Sequence, residues 1–271
     1  MEHKNKFLRN LFIILVFIFL YLPIAVLVIY SFNKAKTNIV FTGFTTKWYT
    51  ELFKNRDLLE AFINTIIIAV TSTVTSTVIG TTAAVGLYKY KFLGKSFVNK
   101  LLYIPIIIPE IVLGIALLSV YTLMNLNLGM FTLILSHIAF SIPFVITSVR
   151  STLSDTTKKI EEAAEDLGAS KFKVFKEITL PLIRPGVISG ATLAFTLSMD
   201  DVVISYFTAG PGSNTLPLKI YSMIKTGITP DVNTLTSLML LTVIIILTIS
   251  IIYQSRKIRK KVVAWKRFFS S

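Results

Sequence analysis

Glu161 to Pro181 reads EEAAEDLGASKFKVFKEITLP, the most highly charged stretch between the two ends of an otherwise apolar chain. Ser154 or Asp155, just upstream, can cap a helix, and acidic residues favour its first turns. Ile160, Ala163, Ala164 and Leu167 fall at i, i+3, i+4 and i+7, which makes one apolar stripe. Gly168 then ends the helix in the left-handed conformation that glycine adopts cheaply. Ser170 can cap a second helix with Phe172, Phe175 and Ile178 on one face, and Pro181 stops it. The spacing predicts two short amphipathic helices, meeting at an angle, in a loop over 154–181. Helices this short are unstable alone in water, so they need a surface. Their lysines and apolar stripes suit lipid headgroups or a partner protein.

The chain around this loop has 271 residues, is 53% hydrophobic and carries a net charge of +14. Long apolar runs indicate a membrane protein. A basic excess in such a protein belongs to cytoplasmic loops and does not imply nucleic acid. The absence of cysteine excludes disulfides and thiolate metal sites. The two histidines, His3 and His137, lie far apart, and no HExxH pattern occurs.

A bilayer core needs roughly 20 apolar residues in a helix. Six segments qualify, over approximately 8–31, 61–88, 101–123, 130–150, 185–209 and 233–254. The second is rich in Thr, Ser, Ala and Gly and is expected at the centre of a bundle, because small residues let helices approach closely in lipid. The third contains Pro105 and Pro109, which predict a kink whose freed carbonyls neighbouring helices satisfy. The first follows Lys4, Lys6 and Arg9, as a signal peptide would. Its apolar run is about twice the usual signal core and no A-x-A-like site follows, so it is expected to remain as an anchor.

Orientation follows from counting Lys and Arg. With the N-terminus inside, the inner segments hold 21 and the outer segments 7 of the 28 basic residues. That bias predicts that both termini and the 154–181 loop are cytoplasmic.

In that loop the residues resemble a known signature: EAA, three residues, Gly, nine residues, then I-x-L-P. Glu162, Ala163, Ala164, Gly168, Ile178, Leu180 and Pro181 meet every fixed position. The chain is thereby identified as a member of the binding-protein-dependent ABC importer permeases. The resemblance implies one all-α polytopic domain over 1–271, with six transmembrane helices arranged as a type I ABC importer transmembrane domain. It also implies that the loop contains coupling helices docking on a cytoplasmic ATPase. A narrower resemblance covers FTLSMDDVVISYFTAGPGSNTLPLKIYSMIKTGITPDVN, Phe195 to Asn233. This run is similar to the spermidine/putrescine importer permeases, specifically the C-type subunit. It implies a bacterial plasma-membrane assembly of two non-identical permeases, two ATPase copies and an extracytoplasmic polyamine-binding protein. No cofactor is implied in this chain, since ATP and Mg belong to the ATPase. Gly94-Lys95-Ser96 looks like the end of a P-loop, but Lys89 stands where the upstream glycine is required.

The ionisable residues within the spans, His137 apart, are all acidic: Glu110, Asp200 and Asp201. A charge at mid-membrane costs at least a few kcal/mol and faces an aqueous path or a partner. An acidic interior suits a cationic cargo. Glu110, following Pro109, can equally serve the kinked backbone. Helical neighbours point about 100° apart, so the two aspartates cannot share a direction. Asp201 falls on a stripe with Ser198, Ser205 and Thr208, and Asp200 on another with Ser189, Thr192 and Thr196. One stripe can line the pathway and the other the seam between permeases. Asp201, whose stripe runs toward the external end, is the favoured cation site. Tyr206 and Phe207 can add cation–π contacts or anchor at an interface. His137 is expected to be a packed, hydrogen-bonded histidine.

The same residues allow an ABC permease for another small cation or organic solute. An ion-coupled secondary carrier usually shows paired internal repeats, and none is evident in the sequence. No nucleophile–base or metal constellation points to an enzyme, so a non-catalytic transport subunit is expected.

Overall fold

The computed structural model describes residues 2–36, 40–227, 229–242, 244, 245 and 248. Among them the architecture is helical, apart from one isolated bridge between Asn33 and Phe44. Among the described residues four helices are long and apolar enough to cross a membrane: Arg9–Tyr30, Arg56–Lys89, Met130–Arg150 and Lys171–Asp200. A bent pair, Lys95–Ile107 with Glu110–Leu123, makes a fifth crossing if counted as one. Of the predicted sixth span, 233–254, residues 233–242, 244, 245 and 248 are described as helical. The rest of that span and the basic tail 255–271 lie outside the described residues.

The chain divides into two compact units. One combines residues up to Asn55 with those from Ser222 onward. Its first helix, α1 (Glu2–Tyr30), has none of its most apolar window buried among the described residues. The turn after α1 is built on Asn33. The Asn33 amide donates to the Val40 carbonyl at 2.9 Å and its Oδ1 accepts from Thr42 N–H at 2.9 Å. Trp48, on α2 (Lys47–Leu52), donates its indole N–H to the Asn33 carbonyl at 2.7 Å.

The other unit, Arg56–Tyr221, carries the candidate sites. Its centre is three packed helices, α3 (Arg56–Lys89), α7 (Met130–Arg150) and α10 (Leu180–Asp200). The small residues of α3 turn inward: Ala61, Thr65, Ala69, Ser72, Ser76, Gly80 and Ala84 are all buried. A Cβ at Gly80 would meet the Val145 side chain at 2.7 Å, so only glycine permits this crossing. At 34 residues α3 is about 51 Å long, well beyond the roughly 30 Å of a bilayer core. Near its C-terminal end Tyr88 donates to the Ser154 carbonyl at 2.7 Å.

The prolines act differently from the kink expected of them. Helices α4 (Lys95–Leu101) and α5 (Ile104–Ile107) lead to a complete break, and α6 (Glu110–Leu123) leaves at 112°. Pro109 forces the residue before it out of the helical region. Ile108 accordingly has ψ 135° and Pro109 itself ψ 135°. Pro105 sits in the first turn of α5, where its missing N–H costs nothing.

The fifth span also differs from 185–209. Pro181 does not stop the second loop helix. The chain runs on as one apolar helix, Lys171–Asp200, through α9 (Lys171–Val174), a π-turn (Phe175–Thr179) and α10. Pro181 stands in the first turn of α10. Its ring would clash with the carbonyl four residues back in a regular helix. The wider π-turn immediately before it removes that conflict. At its other end the helix stops at Asp200, Asp201 is extended, and a separate α11 (Val203–Thr208) follows.

Candidate functional sites

The loop at 154–181 folds as its local chemistry dictates. The Ser154 hydroxyl accepts from Thr157 N–H and caps α8 (Asp155–Asp166). Gly168 has φ +86°, and Ser170 caps α9 by accepting from Lys173 N–H. The expected apolar stripe on α8 is largely uncovered by this chain: Ile160 and Ala163 are exposed, Leu167 is 89% exposed, and Ala164 is half-buried. Phe172 is likewise open, while Phe175 and Ile178 are half-buried. Glu162 is exposed and, among the described residues, forms an ion pair with Lys158 on its own helix at 3.5 Å. Leu180 and Pro181, at the base of α10, are exposed. Both glycine and motif residues thus present a surface rather than a core.

What sequence reasoning missed in this loop is Glu161. It is 5% exposed, lies 3.1 Å from Lys89 Nζ and accepts from the Thr179 hydroxyl. The available signal was position. Glu161 follows the buried Thr157 at i+4, on a face distinct from the apolar stripe.

Deeper in the bundle, the two helix breaks meet. Helix α11 packs on α6, with the Phe207 ring 2.7 Å from where a Gly114 Cβ would stand. This brings Glu110, at the start of α6, within electrostatic range of Asp200 and Asp201. The three acids read from the sequence thus lie at the two helix breaks, Glu110 at the start of α6 and Asp200 and Asp201 at the end of α10.

Their surroundings differ. Asp201 is buried and its carboxylate is fully engaged. It accepts from Ile204 N–H at 3.1 Å, Ser205 N–H at 2.8 Å and the Ser205 hydroxyl at 2.7 Å. His137 Nε2 lies 3.4 Å away. His137 is itself fully buried, with Ser198 Oγ at 2.7 Å from Nδ1 and Ser205 Oγ at 3.1 Å from Nε2. Ser72 of α3 donates to Ser198 at 3.2 Å. Ser198 can then donate to Nδ1, which assigns the imidazole proton to Nε2, facing Asp201. Four helices are bolted together by this chain of polar groups at the point where α10 gives way to α11.

Asp200 faces the other way. Ser189, Thr192, Thr196 and Asp200 form an open stripe on α10, and Glu110 is also exposed. Among the described residues no ion pair engages Glu110 or Asp200. Tyr206 is 57% exposed and meets Phe207 edge to face. The stripe drawn for Asp201 assumed a helix unbroken through 208. The helix ends at Asp200, yet Ser198, Asp201, Ser205 and Thr208 are all buried, because His137 and Thr132 of α7 gather them. Thr132 donates to the Thr208 carbonyl at 2.9 Å. His137 is the packed, hydrogen-bonded residue expected of it, and its partner Asp201 was the missed half of the pair. A lone histidine and a lone buried acid in one membrane bundle are a pairing signal.

Beyond α11 the loop is pinned back on α3. Asn64 donates to the carbonyls of Gly212 and Asn214 at 3.2 and 3.1 Å, and Lys219, on α12 (Leu216–Thr226), lies 3.4 Å from Asp57.

Comparison with known proteins agrees with this geometry. Residues 76–259 match the family described as "Binding-protein-dependent transport system inner membrane component". The chain is 45% identical to the "Spermidine/putrescine transport system permease protein PotC" of Escherichia coli K12, covering 87% of this chain and 89% of that protein. A Haemophilus influenzae protein of the same name is 40% identical, over 94% of this chain and 97% of its own. The E. coli "Putrescine transport system permease protein PotI" is 38% identical, over 86% and 85%. Among solved structures, a bacterial ABC transporter involved in import of the acidic polysaccharide alginate has a chain with TM-score 0.69, 14% identity and coverage of 92% and 95%. At that identity the likeness is one of fold. A broken-helix bundle with an EAA loop, matched to this family over most of its length, belongs to the binding-protein-dependent transport system inner membrane components, and the chain is a non-catalytic, multi-pass permease subunit of an ABC importer.

Proposed function

We propose that this chain is one of two non-identical permeases of an ATP-driven importer of spermidine and putrescine. The observation that carries the cargo is that Glu110 and Asp200, each exposed at a helix break, are engaged by no ion pair among the described residues. Two carboxylates on a wet path suit a chain of ammonium groups. Its likeness to the named polyamine permeases points the same way. Tyr206, open beside α6, offers a ring face to an ammonium. Asp201 serves the site from behind, holding α11 in place.

The remaining parts follow from the uncovered faces. The exposed stripe on α8 is the seat of a cytoplasmic ATPase, present in two copies, which binds ATP and Mg. A polyamine-binding protein delivers cargo on the opposite side. Both termini and the α8 loop are cytoplasmic, as the bias of basic residues requires. A single cysteine at Asn214, which is exposed, should react with an impermeant reagent in intact cells, and one at Glu165 should not. Labelling at Glu165 alone would invert the topology.

The deciding measurement is uptake of labelled spermidine and putrescine by the reconstituted complex. Uptake that requires ATP and the binding protein is expected for both. ATP-driven uptake of another solute, with neither polyamine competing, would replace the cargo and leave the permease class intact.

A further inference from the structure

Helix α8 is fastened to the membrane bundle through one buried carboxylate. Glu161 is 5% exposed, while its neighbours Ile160 and Glu162 are open to solvent. Its Oε2 lies 3.1 Å from Nζ of Lys89, the last residue of α3. Its Oε1 accepts from Thr179, which is fully buried at the end of the π-turn that opens α10. Tyr88, next to Lys89, holds the cap of α8 through the Ser154 carbonyl. Three elements separated in sequence therefore meet on one side chain. A buried carboxylate is costly unless its oxygens are engaged, and here both are. The Lys158–Glu162 pair on the same helix is solvent-exposed and contributes little.

We propose that Glu161, with Lys89 and Thr179, is the positioning clamp that makes the coupling loop move as one body with α3 and α10. The importer reading supplies what drives the loop, and the clamp says how the motion is carried. Along the chain, helix α8 is joined to α7 by residues 151–154 and to α9 by the bend at Gly168. Single-strand links transmit a pull but not a rotation. A two-armed buried carboxylate transmits both. Glu161 is turned inward onto α3 and the π-turn rather than onto the exposed stripe of α8, so its effect is on coupling.

The test uses the full complex, freed of other cysteines. Spin labels at Glu165 on α8 and Thr82 on α3, both exposed and lining one cleft, report the distance between them without nucleotide and with ATP. In the parent this distance should not change. In E161Q, which keeps an acceptor for Thr179 but loses the ion pair, ATP should shift or broaden it. Spermidine uptake per ATP hydrolysed should fall about tenfold, because the charged hydrogen bond that ties α8 to Lys89 is lost. Combining E161Q with K89M should recover part of that loss. If E161Q does not assemble, T179V cuts the other arm and must reproduce the ATP-dependent distance change. Equal distance changes in parent and variants would overturn the clamp, as would uptake lost only in proportion to assembled complex. A parent that moves neither polyamine, with the distances behaving as stated, removes the cargo reading and leaves the clamp. Normal uptake with unchanged distances does the reverse.

Discussion

An Asp201→Ala chain is expected to lose about 3–5 kcal/mol of stability, because several buried donors lose their acceptor at about 1–3 kcal/mol each. Asp201 lies at the break between α10 and α11, where its carboxylate accepts two backbone N–H groups and the Ser205 hydroxyl. Alanine leaves those donors without an acceptor and leaves His137 without its charged neighbour. The other ring nitrogen of this fully buried histidine is already taken by Ser198. Thermal unfolding of the purified complex and the fraction assembled are the readouts. His137→Ala should be nearly as severe, and the double variant milder than the sum, because the two side chains act on each other. Asp201→Asn keeps an oxygen for the backbone donors and should cost about 1–3 kcal/mol. Parent-like stability in Asp201→Ala would mean that the pair is not what holds the break.

Asp200→Asn should do the opposite: leave stability unchanged and cut spermidine uptake by about tenfold or more. Asp200 is open, on a stripe that this chain does not cover. Removing its charge removes no contact on which the fold depends. In a partly wet path one close ion pair contributes about 1–4 kcal/mol before desolvation is subtracted, and a factor of ten needs about 1.4. Glu110→Gln should act in the same direction. Spermidine, with one more ammonium than putrescine, should be affected more. Equal uptake of both polyamines by parent and Asp200→Asn would remove this carboxylate from the pathway. Loss of the second permease on purification would place Asp200 at the seam between permeases instead.

These two aspartates mark the limit of sequence reading. A period of 100° per residue separates their directions correctly in principle, but it assumes an unbroken helix. The MDDVV run gives no proline or glycine to announce the end at Asp200. The break becomes favourable through partners brought by other helices: His137 from 64 positions earlier in the chain and, through Ser198, Ser72 of α3. The preference for Asp201 as the cation contact had no access to that pairing. In the third crossing the signal was present, since Pro109 restricts Ile108 by local sterics. Only the extent of the turn, 112° rather than a kink, depended on the packing of α6 with α11.

The sequence by itself determined the membrane class, the EAA loop with its caps at Ser154 and Ser170, and the left-handed glycine at 168. Those features follow from hydropathy and from hydrogen bonds a few residues long, so neighbours along the chain suffice. Which side of each helix is covered, which acid is paired and which is open, and that Glu161 rather than Glu162 turns inward were decided only by tertiary structure. The physical reason is that the cost of a buried charge depends on the donors around it. For Asp201 they include His137, and for Glu161 they are Lys89 and Thr179, none of them within a helical turn of the acid they serve.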